Sequence, residues 1–235
     1  MFAVVPAAGR GSRLRPLTDS RPKGMVEIDG EPILTYCFDR LVEVSVESIV
    51  VVGYRGQRIV EYYGEAYDGT PIQYVEQRDR LGLAHAVEQA EDVVDGDFLV
   101  LNGDNVFEFS LESLVRTHRR SDVDATILVE EAPPAVARTT GVVVTDDDGT
   151  VVRIEEKPDE PDSSLVTTGV YTLPESTFRH CSAISPSDRG EYELADAINR
   201  LRRQGAVIRA IELDEWRVNV NTPADLETAT RELHR

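Results

Sequence analysis

The sequence predicts a three-layer α/β/α fold built on a mostly parallel, mixed central sheet, with a small antiparallel insertion. Three observations carry this reading. Short β-branched apolar runs alternate with segments of helical periodicity, the pattern of crossover units that cover both faces of a parallel sheet. A glycine-rich turn follows directly on the first run, at a strand's carboxyl end, where open α/β sheets bind ligands. From about residue 124 the rhythm changes to strands separated by turn residues, as expected of an antiparallel addition. The 235 residues can bury one sizeable core, so one domain over 1–235 is expected, with halves at about 1–123 and about 124–235.

Each element follows from its local pattern. FAVVP (2–6) reads as a buried strand, because a short apolar run bounded by glycine suits the centre of a sheet. AAGRGSRLRPLTDSRPK (7–23) then places two glycines, four arginines and one lysine on a flexible turn. EPILTYCFDRLVEV (31–44) has helical periodicity, SIVVVGY (48–54) and PIQYVEQ (71–77) read as strands, and AHAVEQAEDVV (84–94) as a helix. DFLVLNGD (97–104) is a strand ending in a carboxylate, SLESLVRTHRR (110–120) a helix and DATILVEE (124–131) a strand. GVVVTDDDGTVVRIEEKP (141–158) and SSLVTTGVYTL (163–173) form the antiparallel insertion. Its DDDG cluster reads as a hairpin turn, since it lacks the further ligands of a calcium loop. EYELADAINRLRRQG (191–205) is helical, AVIRAIEL (206–213) a strand, and a short helix follows Pro223.

Composition narrows the function. A formal charge of -18, with 43 acidic against 25 basic residues, argues against nucleic acid as a partner, which needs a basic face. Lys23 and Lys157 are the only lysines. An acidic, lysine-poor surface suits a high-salt, halophilic cytoplasm, where the Debye length falls to roughly 3 Å at 1 M and self-repulsion is screened. The amino-terminal stretch lacks the basic start of a signal peptide, and no run approaches the roughly 20 apolar residues of a membrane span. Cys37 and Cys181 lack metal or redox spacing and read as buried, reduced thiols. A cytoplasmic location without membrane contact is expected.

The glycine turn is not one of two familiar phosphate loops. Neither Gly9 nor Gly11 is followed by a lysine and hydroxyl at P-loop spacing. A dinucleotide fingerprint needs a third glycine where Leu14 stands, and an acidic residue closing the second strand, where none stands. What remains is a loop whose backbone N–H groups can cradle phosphate while Arg13 and Lys23 neutralise it. Here AAGRGSRLRPLT followed by RPKGMVEIDGEPIL resembles the signature of the sugar-1-phosphate nucleotidylyltransferases, of the glucose-1-phosphate uridylyl- or thymidylyltransferase type. The match continues in order through EQRDRLGLAHA, LVLNGDN, TGVVV, IEEKP, TTGVY, DRGEYE and WRVNVNTPADL.

That resemblance implies a Rossmann-like nucleotidyltransferase fold, with the first half binding nucleotide and the second the sugar phosphate. The implied reaction joins UTP or dTTP to a sugar 1-phosphate, glucose 1-phosphate first, with Mg²⁺ as cofactor and release of pyrophosphate. Arg13 would hold the β and γ phosphates, and Lys23 would bridge the α-phosphate and the incoming sugar phosphate. Arg10, Arg15 and Arg21 stay open between phosphate contact and ion pairing. Ala8, Gly9, Gly11, Ser12, Asn102 and Gly103 would surround the nucleotide. Gln77 would read the pyrimidine edge, accepting from N3–H and donating to O4, with Gly82 giving close backbone access. Selectivity then requires groups that hold the Gln77 amide in one orientation, and His85 reads as structural. Asp104 would ligate the metal with Asn219, or with Asn221 in reserve. Glu156 and Lys157 would bind sugar hydroxyl and phosphate, Gly141, Thr167, Thr168 and Gly169 would line the hexose, and Arg189 would assist with its phosphate. The rival is a non-catalytic nucleotide-sugar sensor, against which the retained cations argue. No second activity or control site built by a carboxyl-terminal extension is expected, and homo-oligomerisation stays open.

Overall fold

The computed structural model describes residues 1–53 and 56–235, so the predicted strand end at Tyr54 lies outside the described residues. In chain order the strands are β1 (Phe2–Pro6), β2 (Glu27–Ile28), β3 (Glu31–Pro32), β4 (Ile49–Gly53), β5 (Ala66–Tyr67), β6 (Thr70–Glu76) and β7 (Phe98–Leu101). They continue with β8 (Asn105–Phe107), β9 (Ala125–Glu131), β10 (Gly141–Thr145), β11 (Val151–Glu156), β12 (Leu165–Leu173), β13 (Ile208–Glu212) and β14 (Arg217–Asn219). The helices are α1 (Ile33–Glu43), α2 (Gln57–Tyr63), α3 (Leu83–Glu88), α4 (Glu112–His118), α5 (Pro134–Ala137), α6 (Thr177–Cys181), α7 (Leu194–Arg203) and α8 (Pro223–Leu233).

The central sheet runs in the order β11-β10-β12-β7-β1-β4-β6-β5, with β9 paired to β12 and β13. Strands β7, β1, β4 and β6 form a parallel block, and β12 joins it antiparallel to β7. Alternation along the central strands builds the three layers, because successive side chains point to opposite faces. Val4, Val50 and Val100 face α3, α6 and α7 through Ala86, Phe178 and Ile198. Ala3, Val51 and Leu99 face the other way, onto Phe38 of α1, Ile59 of α2 and Leu114 of α4. Each face thus buries branched apolar side chains at about 25 cal/mol per Å² removed from water, and the sheet becomes a rigid platform whose strand ends carry the site.

The expected helix over 84–94 is shorter than its periodicity suggests. It ends at Glu88, the Ala90 N–H bonds the Val87 carbonyl in a tighter turn, and a separate 3₁₀ turn covers Glu91–Val93. The hairpin between β10 and β11 is present, its turn held by Asp146 Oδ1 accepting from the Thr150 N–H at 2.8 Å. Among the described residues no helix is long and apolar enough to cross a membrane.

Candidate active site

The first strand delivers the chain to the glycine turn at the sheet's carboxyl edge. The Ala7 N–H bonds the Val52 carbonyl at 2.8 Å, so the turn starts from a fixed point on the sheet. Gly11 adopts φ 58°, and a Cβ there would lie 2.7 Å from Thr18 Cγ2. The Thr18 hydroxyl donates to the Gly11 carbonyl at 2.7 Å, folding the turn back on itself. A 3₁₀ turn over Lys23–Met25 then buries Lys23, which is 7 % exposed.

A buried ammonium must be paired, and Lys23 is paired twice. Its Nζ donates to Asp104 Oδ2 at 2.6 Å and to Asn221 Oδ1 at 2.8 Å. These two partners come from distant segments joined by β8 and β14, whose register sets Asn219 opposite Asn105, while the Val220 N–H bonds the Asp104 carbonyl at 2.9 Å. At the start of α8 a capping box secures the strap: Thr222 accepts from the Asp225 N–H, and Asp225 Oδ2 accepts from the N–H groups of Thr222 (2.7 Å) and Asn221 (2.9 Å). The side chain of Asn221 donates to Asn219 Oδ1. Lys23, Asp104, Asn221 and Asn219 therefore form one chain of contacts.

Lys23 and Asp104 open on a cleft of about 570 Å³, lined also by Ala8, Gly9, Gln77, Gly82, Asn102 and Gly103, whereas Asn219 and Asn221 stand behind them and do not line it. Ser12 and Arg13 do not line it; both are exposed on the flanking 3₁₀ turn. Arg10 and Arg80 do line it, and they also line an adjoining pocket of about 750 Å³ reached by Arg15, Arg21 and Arg58. Arg15 pairs with Asp19 at 3.3 Å and Arg21 with Glu27 at 2.7 Å. Arg80 was not singled out from sequence; its position between Gln77 and Gly82 was the available signal.

The pyrimidine-reading candidate is 2 % exposed at the end of β6. Its amide nitrogen lies 3.2 Å from the Gly82 carbonyl and 2.9 Å from His85 Nδ1. Both amide hydrogens have partners within the protein, and the expected double reading of the base needs one of them for O4. Gly82 has φ 118°, and a Cβ there would meet the Tyr192 carbonyl oxygen at 2.5 Å. Backbone bonds from Tyr192 N–H to the Leu81 carbonyl and from Ala84 N–H to the Tyr192 carbonyl tie this loop to the second half of the chain.

A smaller cavity of about 150 Å³ shares Leu83 and Glu191 with the cleft, and Glu156, Lys157, Thr167, Tyr171 and Glu193 complete its polar lining. Lys157 adopts φ 50° and its Nζ lies 3.5 Å from Glu156 Oε1. Arg189 donates to Glu193 Oε1 at 2.8 Å and lies 4.0 Å from Glu156 Oε1. Burial pushes the Glu156 carboxyl above its ordinary range, against the pull of Lys157, and Glu193 pushes it further in the same direction. Gly141 lies against Glu156 and Thr167, and Gly169 accepts from the Asn102 N–H at 2.9 Å. The Thr168 side chain turns away from this cavity and donates to the Leu128 carbonyl at 2.9 Å, so of the two threonines only Thr167 lines it.

Fitness for a cation can be read from orphaned oxygens. Asp104 Oδ1 and Asn102 Oδ1 are buried without a hydrogen-bond partner, and both residues line the cleft. No cluster of three His, Cys, Asp or Glu suited to a metal occurs among the described residues. An oxygen pair with few protein ligands suits Mg²⁺, which keeps waters and substrate phosphates in its shell. The thiols offer no competing chemistry: burial pushes Cys37 up, and Cys181 up to about 12.

Comparison with known proteins agrees with this geometry. The family profile described as Nucleotidyl transferase matches residues 2–235. The chain is 48% identical over 234 residues to UTP--glucose-1-phosphate uridylyltransferase AglF of Haloferax volcanii, covering 99% of this chain and 96% of that protein. It is 34% identical to the bifunctional protein GlmU of Methanocaldococcus jannaschii, of whose length it spans 54%. Among solved structures, a putative glucose-1-phosphate thymidylyltransferase from Bacillus anthracis superposes with TM-score 0.88 at 26% identity, covering 98% of this chain and 94% of that one. UTP-bound UGPase from Acinetobacter baumannii superposes with TM-score 0.86 at 25% identity, covering 99% and 92%. The family match over residues 2–235, with a relative 48% identical along nearly the whole of both chains, places the protein in the nucleotidyl transferase family.

Proposed function

We propose that this protein transfers the uridylyl group of UTP, or the thymidylyl group of dTTP, to glucose 1-phosphate, forming a nucleotide sugar and pyrophosphate. The observation that carries this reading is that Lys23 and Asp104 stand in a cleft that shares Glu191 and Leu83 with the cavity holding Lys157. A nucleotide and a sugar phosphate can therefore meet at one point. The 48% identity to a UTP--glucose-1-phosphate uridylyltransferase supports UTP and glucose 1-phosphate as the first pair to try. We read the chain as one domain, with the half to about 123 holding nucleotide and the half from about 124 holding sugar phosphate.

The chemistry follows from charge. Two polyanions must approach, so catalysis rests on positioning and neutralisation. Gln77 and Gly82 receive the base, the Ala8–Gly11 turn receives the phosphates, and Arg10 and Arg80, which line the cleft, neutralise the β and γ groups, a role the family resemblance also gives to Arg13 on the flanking turn. Lys23 has three ammonium donors, two of them engaged, and the third serves an α-phosphate oxygen. Lys157 and Arg189 hold the sugar phosphate while Glu156 receives a sugar hydroxyl. A sugar-phosphate oxygen attacks the α-phosphorus, the bond from that phosphorus to the bridging oxygen breaks, and pyrophosphate leaves with the electron pair. Asp104 and Asn102, with Asn219 or Asn221, would hold Mg²⁺, which supplies charge neutralisation at the α-phosphoryl group.

A salt-rich cytoplasm fits the charge of -18 and the Haloferax relative. The reading is tested by pyrophosphate release for four nucleoside triphosphates crossed with several sugar 1-phosphates. Turnover confined to UTP or dTTP with a hexose 1-phosphate is expected. A preference for ATP, GTP or CTP would overturn the nucleotide assignment, and no turnover with any pair would favour a sensor.

A further inference from the structure

We propose that Arg217 is a positioning residue: through the side chain of Asn105 it fixes the turn that carries Asn102 and Asp104, whose oxygens are the candidate cation ligands. This deepens the cation reading above, on which its metal arm rests.

Arg217 lies on β14, which pairs with β8 outside the central sheet. Its side chain is 8 % exposed, so the guanidinium must place its donors within the protein. Nε donates to Glu130 Oε2 at 3.1 Å and Nη2 to Glu130 Oε1, a forked pair that fastens the small sheet to β9. Nη1 lies outside that fork. It donates to Asn105 Oδ1 at 2.8 Å and reaches the Thr168 carbonyl at 3.4 Å.

Asn105 is fully buried, and one orientation of its amide satisfies these neighbours. A guanidinium can only donate, so the atom facing Nη1 is the oxygen. Carbonyls can only accept, and the amide nitrogen lies 2.9 Å from the Thr168 carbonyl and 3.3 Å from the Asn102 carbonyl. The Asn105 backbone N–H bonds that same Asn102 carbonyl at 3.2 Å, closing the turn over residues 102–105. Without the guanidinium, the buried Oδ1 loses its donor, and it reaches water only by swinging out and releasing both carbonyls. One such bond is worth up to about tenfold in an equilibrium. Asp104 stands one residue earlier, where its carboxylate keeps Oδ2 on Lys23 and leaves Oδ1 to a ligand. A shift of about 1 Å in a group so placed can cost about a hundredfold in rate.

The test replaces the ion pair by apolar groups, Arg217→Leu together with Glu130→Leu. Losing the arginine alone would strand a largely buried carboxylate, whereas losing both partners keeps stability near its original value. Two readouts are taken without nucleotide: the Kd for Mn²⁺ by electron paramagnetic resonance, and hydrogen exchange of the Gly103 and Asn105 amides by NMR. We expect both to rise about tenfold in the double variant, with the amides of β4 and β6 unaltered. Should the double variant fail to fold, Arg217→Lys is read in its place, since lysine keeps a charge beside Glu130 and lacks the planar fork that also reaches Asn105. An arginine that merely anchors β14 to Glu130 predicts unchanged exchange at Gly103 and Asn105. That outcome, or acceleration spread equally over β4 and β6, would overturn the proposal. If Asp104→Asn binds Mn²⁺ as tightly as the unmodified protein, the cation assignment falls instead, and amide exchange alone decides the role of Arg217.

Discussion

Lys23 Nζ lies 2.6 Å from Asp104 Oδ2, while the other oxygen of the same carboxylate is buried without a partner. The carboxylate is thus half committed to the lysine and half available to a cation. Asp104→Asn keeps the shape and removes the charge. It is expected to lower Mg²⁺-dependent turnover at least a hundredfold, roughly the loss of one charged contact of about 3 kcal/mol, with the circular dichroism spectrum unchanged. Undiminished activity would move the metal elsewhere.

Lys157 lies in the smaller cavity, away from the glycine turn. Lys157→Ala is therefore expected to raise KM for sugar phosphate about tenfold or more while KM for the triphosphate changes less than twofold. Steady-state kinetics with each substrate varied in turn would show equal effects if the division between the halves were wrong.

Glu156 illustrates a conflict between stability and function. Burial raises its carboxyl pKa in the folded state, so the folded protein holds that proton more tightly than the unfolded chain does. Its contribution to stability therefore falls as pH rises from the ordinary carboxylate range through the raised folded value, and at neutral pH the ionised group is a standing cost. Glu156→Gln is expected to raise Tm at pH 7 and to lose that advantage below about pH 4, while kcat/KM for sugar phosphate falls. Thermal melts across that range would contradict the argument if the gain were absent at pH 7 or grew in acid.

The capping box at α8 holds the segment that brings Asn221 to Lys23. Asp225→Ala removes the carboxylate that accepts from the Asn221 and Thr222 N–H groups. It is expected to cost about 1 kcal/mol in chemical denaturation and to lower kcat more than it raises either KM. A stability loss with unaltered kcat would show that the cap does not reach the site.

A net charge of -18 leads to a salt prediction. Stability and activity are both expected to rise with KCl into the molar range, as screening shortens the Debye length to about 3 Å. Equal performance in dilute buffer, followed by melting temperature and initial rate, would remove the high-salt inference.

Much of this could be read in the chain because local pattern and tertiary role coincide. FAVVP, IVVVG and FLVL are buried on both faces and are central parallel strands, as continuous β-branched runs predict. Gln77 and Asp104 could be named because each follows a strand of the parallel block at a position that the family resemblance marks. Other features depend on contacts between distant segments. The bond from Lys23 to Asn221 spans 198 residues and exists only because β14 pairs with β8. The inward turn of Thr168 accompanies a register irregularity between Thr167 and Tyr171 in β12, which no alternation of residue types announces. His85 looked structural because the chemistry needs no imidazole, and its contact with Gln77 appears only once α3 folds back on the end of β6.

The most direct test of the central claim is the amount of pyrophosphate released from UTP with and without glucose 1-phosphate, at enzyme concentrations high enough to see one turnover. Direct attack of the sugar phosphate on the α-phosphorus predicts no pyrophosphate without the acceptor and one pyrophosphate per nucleotide sugar formed with it. A stoichiometric burst of pyrophosphate from UTP alone would reveal a nucleotidylated enzyme and contradict the account.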